Sequence, residues 1–430
     1  EHMSRSLVLA ATLLFVPSLT IAQQQPQRPP ASTQPTDNAV NDALRNIVSE
    51  IRYDATPLGD VISDLSRRGG VNIHLSYSQL EQSDVTTSTP ITMHLRNLSF
   101  GRVLEVLALE LGKGVYFENV GNVIVVDRQN ALTHRIENHT YRIADLVGSA
   151  SAATDRERDR AAYRTERLFE IIYSNFVPDS WMVNGGEATL QELGPIMVVH
   201  HQPFVQRSIV DLLATLRTLP PNQSRWVPLS LDLEQRENER LRAKLAAKLA
   251  HVRYDDCPFD KFLSDLESKL EINIHLCRRD FEANALDFDT PVTFDLRDIT
   301  AERLLQQALM DIAGEMHLEA VVDGGVLLIA TKDRIDEKCV TRVFDLTNLL
   351  RDNAQRSDFQ ERLVELLRQT VEPDTWVESG GGEGTLHIFG QRLVAHNSAP
   401  ILLEIERMLN DLQQSLSKDA SRPQTPAPRP

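Results

Sequence analysis

Cysteine is scarce in this chain of 430 residues: there are three, at positions 257, 277 and 339, and no two form a Cys-x-x-Cys pair. That spacing argues against a zinc knuckle and against a thioredoxin-like redox site. Positive charge is short as well, with 45 Lys and Arg against 61 Asp and Glu and a formal net charge of −16. Such a surface repels phosphate backbones, so nucleic acid is not an expected partner. The clusters Arg67-Arg68 and Arg278-Arg279 are too short to reverse that. After Ala22 no apolar run approaches the roughly 20 residues that a spanning helix needs. No local Ser-His-Asp or Cys-His arrangement stands out, and no pair of carboxylates is singled out for acid–base work. Gly185-Gly186-Glu187 and Gly380-Gly381-Gly382-Glu383-Gly384 lack the Gly-Lys-Ser/Thr of a phosphate loop and read as hairpin loops. No catalytic residue, metal ligand or cofactor is expected.

What the chain does have is repetition. Tyr53-Asp54-Ala55-Thr56-Pro57 returns as Tyr254-Asp255-Asp256-Cys257-Pro258, and Asn72-Ile73-His74-Leu75 as Asn273-Ile274-His275-Leu276. Thr89-Pro90-Ile91-Thr92 returns as Thr290-Pro291-Val292-Thr293. Pro178-Asp179-Ser180-Trp181 becomes Pro373-Asp374-Thr375-Trp376, and Gly185-Gly186-Glu187 becomes Gly381-Gly382-Glu383. A period near 200 residues is far longer than a solenoid unit, so each copy should contain complete domains.

Arg5 followed by the apolar Leu7 to Ala22 has the form of a secretory signal, with Thr20-Ile21-Ala22 as the cleavage site. Glu1-His2 precede Met3, which places the natural start at Met3 or makes the first two residues artificial. The mature chain is then exported and periplasmic, with no membrane span. Residues 23–39 and 417–430 are polar and Pro-containing and read as a disordered linker and tail. Between them each copy divides in two. Residues 40–130 and 231–333 read as βαββαββ modules, and 137–219 and 339–416 as βαββα modules, an α+β fold class. Thr56 before Pro57 reads as a helix N-cap, and Ser99 and Thr300 as caps of a second helix. Leu231 to Leu249 carries apolar residues at i, i+4 and i+8 and is assigned to the start of the third module.

The Tyr-Asp-x-x-Pro-Leu start, the Gly-Val-Asn-Ile strand, the Ile-Thr-Met-His-Leu-Arg-Asn-Leu-Ser junction and the closing Asn-Val-Ile-Val-Val strand resemble the short N-terminal domain shared by secretins and TonB-dependent receptors. Tyr141 to Leu146 and Val198 to Leu216 resemble the KH-like periplasmic domain that follows it in secretins. The resemblance runs from Val40 to Leu416, twice over, and includes no segment like the secretin pore. It implies a non-enzymatic interaction protein whose partners are a secretin-like pore, an inner-membrane secretion component, another envelope protein or further copies of itself. A periplasmic signalling module of the TonB-dependent transducer kind is the alternative. An envelope hydrolase or carbohydrate-binding protein with an unrecognised site stands behind both.

Two features remain as candidates. Trp181 with Gly185, Gly186 and Glu187, and Trp376 with Gly381, Gly382 and Glu383, form either a partner-binding edge or a turn anchored on the core. The residues favour the anchored turn, with Asp179 and Asp374 binding backbone N–H groups. His74 and His275 read as exposed strand residues. Cys257, just before a helix, and Cys277, at the end of the strand that returns after it, are expected at one edge and form a candidate disulfide.

Overall fold

The same local device opens both copies. In a computed structural model, β1 (Ile47–Pro57) and β10 (Lys248–Pro258) each slip register against their partner strand, between Tyr53 and Thr56 and between Tyr254 and Cys257. Ala55 (φ 45°) and Asp256 (φ 51°) occupy the left-handed region at these bulges. Their N–H groups donate to Thr92 Oγ1 and Thr293 Oγ1, each at 3.0 Å, which holds the strained backbone in place.

The structure describes residues 37–76, 80, 85–112, 115–120, 123–128, 136–148, 154–227, 230–314, 316–336, 338–351, 356–380 and 382–420. The expected signal segment, all but the last residues of the expected linker, and the end of the expected tail lie outside them. The fold is α+β. Around β1 stand α1 (Asp37–Arg45), α2 (Leu58–Gly69), β2 (Asn72–Leu75), β3 (Pro90–Ser99), α3 (Phe100–Leu111), β4 (Val115–Val120) and β5 (Val123–Arg128). β1 and β3 pair as an antiparallel ribbon, and a separate sheet runs β2-β5-β4 with β2 parallel to β5. Next come β6 (Glu137–Arg142), α4 (Ala144–Val147), α5 (Asp155–Asn175), β7 (Thr189–Leu193), β8 (Ile196–His201) and α6 (Pro203–Thr218), with strand order β6-β8-β7. The connection holds β9 (Ser224–Val227) and α7 (Ser230–Leu245).

Copy two repeats the order from β10 through α8 (Phe259–Leu270), β11 (Asn273–Leu276), α9 (Arg278–Ala283), β12 (Pro291–Thr300), α10 (Ala301–Ala313), β13 (Leu318–Asp323) and β14 (Val326–Thr331). It continues with α11 (Lys332–Asp336), β15 (Cys339–Asp345), α12 (Thr347–Arg351), α13 (Arg356–Thr370), β16 (Thr385–Phe389), β17 (Arg392–Ser398) and α14 (Ala399–Ala420).

Helix starts follow the local chemistry. Ser99 and Thr300 Oγ accept from the Arg102 and Arg303 N–H groups at 3.2 and 3.3 Å. Thr56 does not cap α2; it stays in β1, and the helix begins at Leu58 after Pro57, which has no side-chain acceptor. Leu58, Val61, Ile62 and Leu65 bury one face of α2, as their spacing predicts.

The strands of copy two are covered on both sides. Leu327 and Ile329 of β14 face the core of their own copy, whereas Val326 and Leu328 join the core of copy one. Likewise Phe344, Leu393 and Ala395 pack under α13 and α14, while Val343, Val394 and Phe389 pack with the helices of copy one. In both places helices of copy one lie on sheets of copy two. β9 adds a fourth strand to the sheet β16-β17-β15-β9, and there the Arg342 guanidinium stacks 4.5 Å from the Trp226 ring and 5.2 Å from Phe344. Replacing Trp226 by Ala removes that stack and opens a cavity beside β15. The expected loss is about 3–5 kcal/mol, read as a lower urea midpoint for the whole chain.

Candidate interaction surface

Both duplicated tryptophans are buried. Trp181 Nε1 donates to Phe176 O at 2.7 Å and Trp376 Nε1 to Val371 O at 2.8 Å, so the rings anchor the turns and are not offered to a partner. The turn bonds come from Ser180 and Thr375, whose hydroxyls donate to Val177 O (2.6 Å) and Glu372 O (2.8 Å), in place of the expected Asp179 and Asp374. A Cβ on Gly186 would stand 2.1 Å from Ser180 O, and one on Gly382 2.0 Å from Thr375 O. These glycines let the loop lie on its own turn. Gly185, Glu187 and Glu383 are exposed beside it, and Gly381 lies outside the described residues.

Under Trp181 the Ser180 hydroxyl meets His201 Nε2 at 2.8 Å. The hydroxyl proton goes to Val177 O, so Nε2 is the donor, and Nδ1 accepts from the Gln202 N–H at 2.7 Å. Both ring nitrogens are committed, and burial pushes the imidazole down to about 4. The pair is a structural clasp with no lone pair free to act as a base. Among the described residues no group of three or more His, Cys, Asp or Glu could hold a metal ion.

The three cysteines are free, so the expected Cys257–Cys277 bond is not formed. Cys257 sits in the ribbon opposite Val292, whereas the Cys277 N–H donates to Ile329 O of the neighbouring sheet. The returning strand pairs in parallel with β14, whereas Cys257 lies in the β10–β12 ribbon, so the two thiols stand in different sheets. Burial raises the Cys339 thiol to about 12.

The polar chemistry of the chain concentrates where the copies meet. Arg102, on α3, pairs with Asp323 Oδ2 at 2.9 Å and donates to Asp323 O at 2.7 Å; Lys338 Nζ reaches the same carboxylate at 2.6 Å. Burial alone would raise the Asp323 carboxyl, but Arg102 and Lys338 hold it far below the ordinary range. Gly324 (φ 54°) makes room: a Cβ there would lie 2.5 Å from Arg102 Nε. Asn273 presents its amide to the edge of β3 as a peptide would, Oδ1 accepting from the Arg96 N–H at 2.8 Å and Nδ2 donating to Arg96 O at 3.0 Å. Arg334 donates to Leu109 O at 2.9 Å and Arg279 to Leu111 O at 3.4 Å, placing positive charge on the C-terminal carbonyls of α3. In the second contact Ser174 Oγ meets His387 Nε2 at 2.9 Å and Thr385 Oγ1 donates to Asn175 Oδ1 at 2.6 Å.

His275 is buried here, not exposed as its strand position implied. Its Nε2 lies 3.2 Å from Glu110 Oε2, with the N–H poorly aligned, so the attraction is one of charge. Burial pulls the imidazole pKa down, but Cys277 and Glu110 outweigh it and raise it to about 9.

The same positions in the other copy are bare. Arg102, Val106, Leu109 and Glu110 form a covered stripe on α3; 201 positions later, Arg303, Gln307, Met310 and Asp311 form an exposed stripe on α10, with Met310 70% exposed. Ile171, one turn before Ser174, is buried, and its counterpart Leu366 is 38% exposed. The reverse holds for the sheets: Phe389 is buried and Leu193 is 70% exposed, His275 buried and His74 exposed. Val326-Leu327-Leu328-Ile329 lacks the alternation of a one-sided strand, but so does its counterpart Val123-Ile124-Val125-Val126, so this run does not tell the copies apart.

Two outcomes follow. A pKa raised above the ordinary His value contributes stability that is full below pH about 6.5 and lost as pH climbs through about 9. The melting temperature should therefore fall between pH 7 and 9.5, and Glu110→Gln should lower it at pH 7 and flatten that slope. Gly186→Ala or Gly382→Ala should cost about 1–3 kcal/mol in denaturant titrations, whereas Gly59→Ala in α2, whose Cβ would meet Thr87 at an ordinary 3.6 Å, should cost less.

No helix among the described residues is long and apolar enough to cross a membrane. No protein-family model and no curated protein matches the chain. Among solved structures the chain is similar to a structure of XcpQN012, at 13% identity, with a TM-score of 0.14 and 39% of this chain covered. That match spans 66% of the XcpQN012 chain, just short of two thirds. It is also similar to the crystal structure of the enterotoxigenic Escherichia coli GspC–GspD complex from the type II secretion system, at 12% identity, covering 39% of this chain and 99% of that one with a TM-score of 0.14.

Proposed function

We propose that the chain is a non-enzymatic docking scaffold of the cell envelope, made of four modules (40–130, 137–219, 231–333 and 339–416) stacked as two like pairs. The observation that carries this reading is the bare helix side of copy two. Arg303, Met310, Asp311 and Leu366 stand where copy one covers Arg102, Glu110 and Ile171 fully and Leu109 in part. A helix side whose duplicate is an interface, and which keeps the arginine, the large apolar residue and the acid, fits docking of a sheet from outside. The committed hydrogen bonds of the Ser180–His201 pair weigh against a hydrolase. The signal-like Leu7 to Ala22 supports a partner in the envelope, and the resemblance to secretin N-domains supports a secretin-like pore or an inner-membrane secretion component.

The test is affinity capture from envelope extracts with the full chain, wild type against Met310→Glu/Leu366→Glu. Specific capture by the wild type and its loss with the variant is expected. Undiminished capture by the variant would show that the bare helix side is not the docking face.

A further inference from the structure

We propose that the bare helix side of copy two docks on the bare sheet side of copy one in a second molecule of the same chain, repeating head to tail the contact that already joins the copies within one molecule. The inference rests on reading that helix side as a docking face, and it names the occupant.

The internal contact is heterologous: α3 and α5 of copy one cover the outer sides of copy two's sheets, and Glu267 of α8 and Asn273 of β11 reach the edge of β3. A two-fold contact would bury matching patches on both copies. Here α3 is covered and its duplicate α10 is bare, while β11 and β14 carry Asn273, His275, Val326 and Leu328 into the contact and the duplicate Asn72 and His74 are exposed. The second pair of modules behaves alike, with α5 on β16 and the duplicate surfaces at Leu366 and Leu193 left open. Two independent pairs with the same sense share one operation, and a heterologous contact leaves one unused half at each end of the molecule. Those two halves are the mutually complementary surfaces of the interface already present.

Chemistry is retained at several of the matching positions. His74 would meet Asp311 as His275 meets Glu110, and Asn72 is the amide that would read the edge beside Arg297 as Asn273 reads Arg96. Met310 and Leu366 would take the places of Leu109 and Ile171, and Leu193 that of Phe389. Other positions are weakened. Glu267 and Arg279 correspond to Ser66 and Ser78, Val106 to Gln307, Asp323 to Val120 and Arg334 to Ala131, so these supports of the internal contact, the Arg102–Asp323 pair among them, are missing from the external one. Val125 and Asp127, the outward residues of β5, are already buried within their own molecule, so the open part of this sheet is β2 with Asn72 and His74. The contact between molecules is therefore weaker than the one inside, and reversible with concentration.

The test uses two full-length variants. Met310→Glu/Leu366→Glu removes the helix half, and Leu193→Glu/His74→Ala removes the sheet half; all four side chains are exposed or partly exposed, and circular dichroism checks the fold. In sedimentation velocity the wild type should shift to larger species as concentration rises. Each variant alone should remain monomeric, and an equimolar mixture should form a one-to-one dimer and nothing larger, because one intact half of each kind remains. A wild type that stays monomeric at its solubility limit, a variant that still dimerises alone, or two variants that do not combine would each overturn the proposal. A monomeric wild type that captures an envelope protein, and loses it with Met310→Glu/Leu366→Glu, would sink the second-molecule contact while leaving the docking face standing.

Discussion

Arg102 sits at the point on which the two halves of the chain are registered. Its guanidinium is buried between α3 and the turn after β13, bonded to the carboxylate and the carbonyl of Asp323 and to Glu105. A buried ion pair adds little net stability against an apolar substitute, because both charges lose their water. Removing one partner is another matter, since the charge left behind costs about 3–5 kcal/mol. The pair thus tolerates one alignment and penalises the rest. Lys338 on the same carboxylate and the bare backbone of Gly324 admit the guanidinium at that alignment. The adhesive is apolar: Val326 and Leu328 in the core of copy one, and Val343, Val394 and Phe389 in its second core.

Strand periodicity explains how one sheet serves two cores. Side chains alternate across a sheet, so a strand can send odd residues to its own helices and even residues to a neighbour. β14 does this with Leu327 and Ile329 on one side and Val326 and Leu328 on the other. β8, with no element over its outer face among the described residues, keeps Met197 and Val199 buried and leaves Ile196, Val198 and His200 half-buried. The same architecture read twice therefore gives two burial patterns, and the difference between them marks an interface without any ligand or partner present.

Much of the architecture was legible in the residues. The spacing of Leu58, Val61, Ile62 and Leu65, the caps at Ser99 and Thr300 and the core role of the tryptophans all follow from local rules. Long-range placement did not. The Cys257–Cys277 expectation compared only the lengths of α8 and of the strand after it, and no local signal reveals that β11 pairs with β14, more than 50 residues away, and not with the ribbon. His275 and His74 stand in identical local sequence, Asn-Ile-His-Leu, and only one is buried; what decides is the packing of α3, about 170 residues distant in the chain. A motif read in isolation cannot carry that information, because the burial belongs to the pair of copies and not to the motif.

Divergence between the copies records the same asymmetry. A residue inside an interface is constrained by its partner, whereas its duplicate on the surface answers only to solvent or to an outside molecule. Val106 has become Gln307, as solvent exposure allows, yet Arg102 remains Arg303, Leu109 the equally large Met310, and Glu110 the acid Asp311. Solvent alone gives no reason to keep a long apolar side chain 70% exposed between an arginine and a carboxylate on one helical stripe. The bare stripe of α10 thus keeps the size and charge order of the α3 stripe at Arg303, Met310 and Asp311 and departs from it at Gln307.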